Sequence, residues 1–173
     1  MPTLFLDRDG VINHDSTDFI KSAADWRPIA GSLEAIVRAQ RHGFRIIVVS
    51  NQSGLGRGLF GIRALNQIHN RLQHELGRIG GRIDAFLFCP HHPEAGCTCR
   101  KPAPGLLHDA GTRLGIKLAR ATFIGDRMTD VAAATAAGIK PMIVASGLET
   151  PPEDAGLTIY SNLSEAIDAL LTC

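Results

Sequence analysis

The chain has 173 residues, 45% of them hydrophobic, which is a globular composition with room for one domain around a sizeable core. Its 18 basic and 17 acidic residues leave a formal net charge of +1, so neither a nucleic-acid nor a membrane partner is expected. No apolar run reaches the roughly 20 residues that span a bilayer, and the first residues lack the basic and apolar regions of a signal peptide. We therefore expect a single cytoplasmic domain over residues 1–173, with no feature that demands more than a monomer.

Short apolar runs predict five buried strands, and amphipathic patterns predict helices between most of them. In chain order, the predictions are strand 3–6, helix 32–42, strand 45–49, helix 61–78, strand 85–88, helix 104–115, strand 122–124, helix 129–137, strand 141–145 and helix 163–171. Ser161, Asn162 and Ser164 are the candidate N-caps of the last helix. This alternation predicts an α/β fold, a three-layer α/β/α sandwich around a mostly parallel sheet.

Polar sequences follow four of the predicted strands directly. They are DRDG at 7–10, SNQSG at 50–54, CPHH at 89–92 and GDRMTD at 125–130. Because ligands of open parallel sheets bind outside the carboxyl ends of the strands, we expect these four sequences to meet at one crevice.

Asp7 and Asp9 lie two residues apart at the end of the first strand, so an extended chain would place both carboxylates on the same side. Neighbouring carboxylates repel unless a cation lies between them, and oxygen-only ligands favour Mg²⁺. Asp126 is a candidate third ligand, and Asp130 would support the site without touching the metal. For either motif alone, the competing interpretation is a turn or an N-cap.

The sequence Ser50, Asn51, Gln52, Ser53 offers hydroxyl, amide and backbone donors that suit a phosphate, although a simple polar turn would look the same. The following residues 56–61, GRGLFG, match the G-x-G-x-x-G pattern of dinucleotide-binding proteins. That pattern should come directly after a strand and open a helix, whereas SNQSGL intervenes here. We interpret the match as a coincidence in a flexible loop.

Three of the four cysteines fall within eleven residues. The four are Cys89, Cys97, Cys99 and Cys173, of which the last is interpreted as an isolated thiol. With His91, or alternatively His92, the first three provide four soft ligands, which predict a closed tetrahedral structural Zn²⁺ site. Free thiols or a labile disulfide are the competing interpretation.

Arg100 and Lys101 directly follow Cys99. A zinc-bound loop would hold both cations rigidly at the crevice. Lys101 could neutralise a phosphate and the carboxylates, and the fork of Arg100 could bind a second anionic group. A solvated surface pair is the alternative.

The motifs FLDRDG, SNQSG, RKPAPG and GDRMTD, in this order, resemble the four signature motifs of the haloacid-dehalogenase-like (HAD-like) phosphatases. The cysteine loop, residues 89–99, is similar to that of the heptose 1,7-bisphosphate phosphatases in this family, to which histidinol-phosphate phosphatases are related. The resemblance extends from Leu4 to about Gly147. It implies a Rossmann-like fold. Only one helix and one strand fit between SNQSG and Cys89, and no domain fits between DRDG and the helix at 32, so we expect no inserted cap domain. Residues 14–28 could fold over the open crevice with Trp26 as anchor.

The resemblance also implies the roles of individual residues. Asp7 would be the nucleophile that forms an aspartyl-phosphate, and Asp9 the general acid and then the base. Mg²⁺ would be held by Asp7, the backbone carbonyl of Asp9 and Asp126, while Ser50 and Lys101 would bind the phosphoryl group. The implied substrate contacts are Asp15, Ser16, Thr17, Asp18, Ser50, Asn51, Gln52, Ser53, Arg100, Lys101 and Arg127.

The implied activity is Mg²⁺-dependent hydrolysis of a sugar phosphate monoester, namely removal of the C7 phosphate of D-glycero-D-manno-heptose 1,7-bisphosphate in ADP-heptose biosynthesis. Histidinol phosphate is the alternative substrate, and Asp15 and Asp18 would suit its amine. A zinc-stapled binding module without catalysis is a more remote alternative.

Overall fold

The computed structural model describes residues 1–152 and 156–172 of the chain, and all assigned helices and strands lie in that part. The strands are β1 (Thr3–Leu6), β2 (Arg45–Asn51), β3 (Ala85–Cys89), β4 (Ala121–Gly125), β5 (Lys140–Val144) and β6 (Ile159–Tyr160). The α-helices are α1 (Ser32–Arg41), α2 (Ser53–Gly56), α3 (Ile62–Arg78), α4 (Gly105–Leu114), α5 (Met128–Ala136) and α6 (Leu163–Leu171). Single 3₁₀ turns lie at Pro93–Ala95 and Leu118–Arg120.

The six strands form one parallel sheet in the order β3-β2-β1-β4-β5-β6. Leu6 at the end of β1 pairs with Val48 on one side and Ile124 on the other. The strand order reverses between β1 and β4, so a crevice opens beyond the carboxyl ends of these two strands. The first residue after β1, Asp7, lies at this point and donates its backbone N–H to the Ile124 carbonyl at 3.0 Å.

Side chains alternate between the two faces of the sheet and build a core on each. Leu4 and Leu6 of β1 are buried in the cluster that includes apolar residues of α1, α3 and α6. Phe5 between them is buried in the other cluster, with apolar residues of α4 and α5. This division confirms the predicted three-layer sandwich.

All five predicted strands and all five predicted helices are present, with ends that shift by at most two residues. The N-cap of α6 is Asn162, whose side chain accepts a hydrogen bond from the Glu165 backbone N–H at 3.1 Å. Two short elements were not predicted, α2 and β6. Cys173 lies outside the described residues.

The long connection between β1 and α1 packs onto the domain and forms no separate cap within the described part of the chain. Trp26 is fully buried in the core, and the Arg71 guanidinium lies 5.6 Å from the centre of its ring. Trp26 therefore anchors this connection as expected. None of the described helices is both long and apolar enough to cross a membrane.

Candidate active site

Three buried aspartates meet where β1 and β4 end. One oxygen each of Asp7, Asp126 and Asp130 lies within 4.8 Å of the others, and we call these residues the carboxylate cluster. Asp130 is on the first turn of α5, where its Oδ2 accepts hydrogen bonds from the backbone N–H groups of Asp126 (3.2 Å) and Arg127 (3.1 Å). A carboxylate is favoured at such a helix N-terminus. Asp130 thereby fixes the turn that carries Asp126.

Lys101 is the counter-charge of the carboxylate cluster. Its buried Nζ lies 2.9 Å from Asp7 Oδ1 and 2.7 Å from Asp130 Oδ1, and it donates to the Val49 carbonyl at 2.9 Å. Asn51 holds the Lys101 backbone, since its side chain donates to the Lys101 carbonyl and accepts from the Lys101 N–H, both at 3.0 Å. The ammonium group is thus fixed between two carboxylates.

The third aspartate, Asp126, has only a more distant counter-charge, since Arg127 Nε lies 3.8 Å from its Oδ2. Both of its carboxylate oxygens are buried and lack a hydrogen-bond partner among the described residues. The backbone of Gly10 and Gly147 lies against this carboxylate so closely that a Cβ at either position would collide with Oδ2. Burial, then repulsion from Asp7 and Asp130, raises the pKa of Asp126 to about 9.

Burial also raises the pKa of Asp7 to about 6, against the opposing effect of Lys101. For Lys101 itself, burial would lower the pKa, but Asp130 and Asp7 outweigh it and raise the pKa above its usual value. A hard divalent cation neutralises a buried set of oxygen ligands with excess negative charge, in which the oxygens of one carboxylate lack a hydrogen bond among the described residues. The residues present therefore fit Mg²⁺, with Asp126 and Asp7 as the side chains that would hold it.

Asp9 is held differently from the carboxylate cluster. Arg8 donates to both of its oxygens at 2.9 Å, Asn13 Nδ2 donates at 2.9 Å and Gln52 Nε2 at 3.1 Å. Burial would raise the pKa of Asp9, but the charge and hydrogen bonds of Arg8, Asn13 and Gln52 outweigh it and lower the pKa. Every one of these partners is a donor, so this geometry suits the ionised carboxylate.

The aspartates Asp7 and Asp9 lie in a crevice of about 700 Å³. One wall carries Asp15 and Arg127, which form an ion pair at 2.9 Å, and Arg127 also lies 3.2 Å from Glu149. The remaining polar residues that line the crevice are Ser16, Thr17, Asn51, Gln52, Ser53, Arg57, Arg100, Lys101, Thr129 and Asp130. Most of the substrate contacts expected from the sequence thus share one crevice.

Two of the expected contacts lie elsewhere. Ser50 is buried below the crevice, where its Oγ accepts a hydrogen bond from Gln52 Nε2 at 3.4 Å. Asp18 lines a neighbouring groove, and its largely exposed carboxylate pairs with Lys21 at 2.9 Å.

Sequence reasoning missed several residues of the site. These are Arg8, Asn13, Arg57, Thr129 and Glu149. The position of Arg57, three residues after the SNQSG motif, was a signal that could have indicated it.

The cysteine loop brings four metal-binding atoms together, and we call Cys89, His91, Cys97 and Cys99 the cysteine cluster. The Cys89 sulfur lies 3.6 Å from that of Cys97 and 3.3 Å from that of Cys99. His91 Nδ1 lies 3.5 Å from the Cys89 sulfur and 3.2 Å from the Cys99 sulfur. The edges of a tetrahedral zinc site with these ligands are about 3.5 to 3.8 Å, so the cluster is compatible with Zn²⁺.

His92, the rival ligand in the sequence, is not in the cysteine cluster. Its Nδ1 accepts a hydrogen bond from the Glu94 backbone N–H at 3.3 Å. Burial raises the pKa of the Cys89 thiol to about 12. Burial would also raise that of Cys97, but hydrogen bonds from Cys99 and Cys89 outweigh it and lower the pKa to about 6. These opposite shifts arise because sulfur atoms in contact compete for protons.

Comparison with known proteins agrees with this geometry. Residues 98–166 match the HAD-hydrolase-like family model. The D-glycero-beta-D-manno-heptose-1,7-bisphosphate 7-phosphatase of Bordetella bronchiseptica is 44% identical over 147 residues, covering 85% of this chain and 82% of the relative. That of Pseudomonas aeruginosa is 40% identical over 172 residues, 97% of both chains. The chain belongs to this phosphatase family.

Solved structures of the heptose-bisphosphate phosphatase family have the same fold. The crystal structure of D,D-heptose 1,7-bisphosphate phosphatase from B. bronchiseptica, in complex with magnesium and phosphate, aligns with a TM-score of 0.92 at 39% identity over 99% of both chains. The enzyme from Burkholderia thailandensis aligns with a TM-score of 0.75 at 32% identity over the whole of both chains. The expected HAD-like phosphatase is thereby confirmed, and the magnesium of the relative agrees with the oxygen donors of the carboxylate cluster.

Proposed function

We propose that the chain removes the 7-phosphate of D-glycero-β-D-manno-heptose 1,7-bisphosphate and so supplies heptose 1-phosphate for ADP-heptose synthesis. The observation that carries this proposal is the buried Asp7–Lys101 pair at the reversal point of the sheet. Beside it lies Asp126, whose carboxylate oxygens lack a hydrogen-bond partner among the described residues. The names of the relatives support the choice of sugar and anomer.

In the first step, a carboxylate oxygen of Asp7 attacks phosphorus, and the bond between phosphorus and the sugar oxygen breaks. Asp9 gives a proton to the leaving oxygen. Asp9 is the acceptor in all four of its hydrogen bonds and carries no proton in this arrangement. It must therefore gain a proton when the substrate binds, and these hydrogen bonds must loosen. Lys101 neutralises charge on Asp7 and on the phosphoryl oxygens.

In the second step, water attacks the phosphorus of the aspartyl-phosphate, and Asp9 takes its proton. The bond from phosphorus to Asp7 breaks, so phosphate leaves, Asp7 is again a free carboxylate, and Asp9 carries the proton with which the first step begins. The hydrogen bonds from Arg8, Asn13 and Gln52 orient Asp9 as the ionised base that this step requires.

Mg²⁺ held by Asp7, Asp126 and the Asp9 backbone carbonyl would neutralise the negative charge that builds up on the transferring phosphoryl group. Asp130 keeps the turn of Asp126 in place through its Oδ2, while its Oδ1 pairs with Lys101. We propose Asp15, Ser16, Thr17, Asn51, Gln52, Ser53, Arg100 and Arg127 as substrate contacts.

We also propose that residues 1–173 act as one domain and as a monomer in the cytoplasm, where reduced thiols of the cysteine cluster would retain Zn²⁺. Light scattering on the purified chain tests the monomer. A molecular mass of two chains would contradict it.

The proposed substrate is tested by phosphate release with Mg²⁺ on heptose 1,7-bisphosphate in both anomers, fructose 1,6-bisphosphate and histidinol phosphate. We expect the highest kcat/KM for the β-heptose bisphosphate. A preference for histidinol phosphate would replace the substrate and keep the chemistry, and no turnover of any compound by a folded, zinc-containing protein would favour a binding module. Asp15, which would have to bind the histidinol amine, is already paired with Arg127.

A further inference from the structure

A second concave surface lies at the end of the sheet opposite the active site. It is a pocket of about 550 Å³ at the amino ends of the strands, and we call it the basic pocket. Its lining residues are Met1, Thr3, Arg45, Arg82, Asp84, Gly115, Ile116, Lys117 and Arg120. The strands β1 and β4 run from this pocket to Asp7 and Asp126, yet none of its lining residues also lines the crevice.

Four side-chain cations reach the basic pocket from the starts of three strands. Arg45 is the first residue of β2, and Arg82 lies three residues before β3. Lys117 and Arg120 lie at the two ends of the 3₁₀ turn that precedes β4. Asp84 is the one carboxylate among the lining residues, so the pocket has a formal excess of three positive charges. This excess is larger than the net charge of the whole chain, which is +1.

The carboxylate of Asp84 is already engaged through both of its oxygens. Its Oδ2 accepts a hydrogen bond from the Ile46 backbone N–H at 2.8 Å, and its Oδ1 pairs with Arg82 Nε at 3.0 Å. Asp84 therefore fixes the start of β2 and neutralises one cation. The other three cations of the pocket have no carboxylate partner among the described residues.

These three cations differ in how they are held. Arg45 is half-buried, and its Nη1 donates to the Leu114 carbonyl at the end of α4, at 3.0 Å. Lys117 and Arg120 are exposed, and neither side chain has an ion pair or a hydrogen bond in the part of the chain that the structure describes. Cations of one sign that line a concave surface raise the local concentration of anions. The basic pocket is therefore suited to an anionic ligand.

We propose that the basic pocket binds a diphosphate group, either as inorganic pyrophosphate or as part of a nucleotide. A single phosphate monoester carries at most about two negative charges at neutral pH, so it would leave part of the excess positive charge unneutralised. The guanidinium forks of Arg45 and Arg120 suit phosphate oxygens, and Lys117 adds a third cation between them in the chain. A cavity of about 550 Å³ lies in the size range of small-molecule sites. This inference does not depend on the proposed function.

Residue-resolved NMR tests the basic pocket on the intact, zinc-containing chain. Amide shifts of isotope-labelled protein are followed during titration with inorganic pyrophosphate, ADP and inorganic phosphate, without Mg²⁺, which would itself bind the diphosphates. We expect saturable shifts of Arg45, Gly115 and Lys117, with a Kd below about 1 mM for pyrophosphate and a Kd about tenfold higher or more for phosphate. Tighter binding of ADP than of pyrophosphate would identify a nucleotide as the source of the diphosphate, and equal binding would identify the diphosphate alone. Shifts confined to the crevice, or no saturable shift, would overturn the proposal.

Two double variants separate the basic pocket from the overall charge of the chain. Lys117→Gln with Arg120→Gln removes two charges of the pocket, whereas Arg41→Gln with Arg63→Gln removes two exposed charges that line neither the pocket nor the crevice. The first should raise the Kd for pyrophosphate about tenfold or more, and the second should leave it close to the natural value. Both should keep the natural melting temperature, because all four side chains are exposed. An equal loss of affinity in the two double variants would overturn the pocket as the binding site.

Discussion

The carboxylate cluster and the cysteine cluster lie in the same domain and are both suited to a metal, yet they are built in opposite ways. In the carboxylate cluster, Asp126 is buried without a hydrogen-bond partner for its carboxylate among the described residues, and the cluster borders an open crevice. In the cysteine cluster, four ligand atoms already approach a closed tetrahedron. The comparison teaches that the type of ligand decides the role of each site. Four protein ligands around Zn²⁺ leave no open position, so the cysteine cluster can only hold its loop in shape. Carboxylates that do not fill the coordination sphere of a metal leave positions at which it can act on a substrate.

The two clusters also differ in their effect on folding. Burying three carboxylates around one lysine costs free energy, as the raised pKa values of Asp126 and Asp7 indicate. A structural zinc site, in contrast, contributes its binding energy to folding. Substitutions should therefore affect activity and stability in different proportions at the two sites.

The largest effect is expected from Asp7→Asn. The amide keeps the size of the side chain but cannot form an aspartyl-phosphate, so kcat should fall by roughly 10⁴-fold or more. Zinc content, measured by elemental analysis, and the thermal melting point should not fall. Substantial turnover by this variant would show that another group attacks phosphorus.

Cys97→Ser should instead act on stability first. Loss of one thiolate weakens Zn²⁺ binding, and we expect the melting temperature to drop by about 10 °C, with a loss of activity because the loop positions Arg100 and Lys101. The matched pair His91→Ala and His92→Ala sharpens the test, since only His91 lies in the cysteine cluster. Equal melting points for these two variants would contradict the assignment of His91 as the fourth zinc ligand.

Asp126→Asn should stabilise the metal-free protein at alkaline pH. The pKa of Asp126 is raised to about 9 from 3.8, so the folded protein binds more protons than the unfolded chain between these values, and stability falls as pH rises through this window. The amide cannot ionise in either state and so avoids the cost of keeping the folded-state carboxyl protonated, and the free energy of unfolding at pH 8.5 should rise by on the order of 2 kcal/mol. Thermal melts of both proteins from pH 5 to 9, in the presence of a chelator, measure this difference in stability.

The same melts with Mg²⁺ provide the control. Mg²⁺ should stabilise the natural protein at pH 8.5 and have little effect on Asp126→Asn. If the variant is destabilised in chelator and still responds to Mg²⁺, Asp126 is not the ligand.

The smallest effect is expected from Asn51→Ala. Asn51 touches no carboxylate of the cluster but holds the Lys101 backbone by two hydrogen bonds. Their loss should lower kcat about tenfold and the free energy of unfolding by about 1–2 kcal/mol, as measured by kinetics and urea denaturation. A stability loss with unchanged kcat would mean that Lys101 does not depend on Asn51.

The parts of the molecule that follow local rules were predictable. Apolar runs indicated the main strands, and clustered cysteines indicated the zinc-type loop. The short helix α2 was missed because its four residues, two of them glycine, show no helical pattern, and β6 has only two residues. Convergence of DRDG, SNQSG and GDRMTD on one crevice followed from the parallel topology, whereas CPHH at 89–92 is not among the residues that line it.

Orientation of single side chains was not predictable. Arg8 stands between two aspartates as a surface residue would, yet it is fully buried and pairs with Asp9. Asp15 and Asp18 look equivalent, but Asp15 lines the crevice and pairs with Arg127, whereas Asp18 does not line it and pairs with Lys21. Such choices depend on tertiary contacts that a sequence pattern does not contain.

The central claim is that the carboxylate cluster serves catalysis and the cysteine cluster serves structure. A Mg²⁺ titration of turnover tests it most directly. Protein dialysed against a mild chelator, with its zinc content measured, is mixed with heptose 1,7-bisphosphate and increasing Mg²⁺. We expect no phosphate release before Mg²⁺ is added, saturable activation afterwards, and one Zn²⁺ per chain throughout. Turnover without Mg²⁺, or turnover that follows the zinc content at saturating Mg²⁺ in a fully folded sample, would contradict the account.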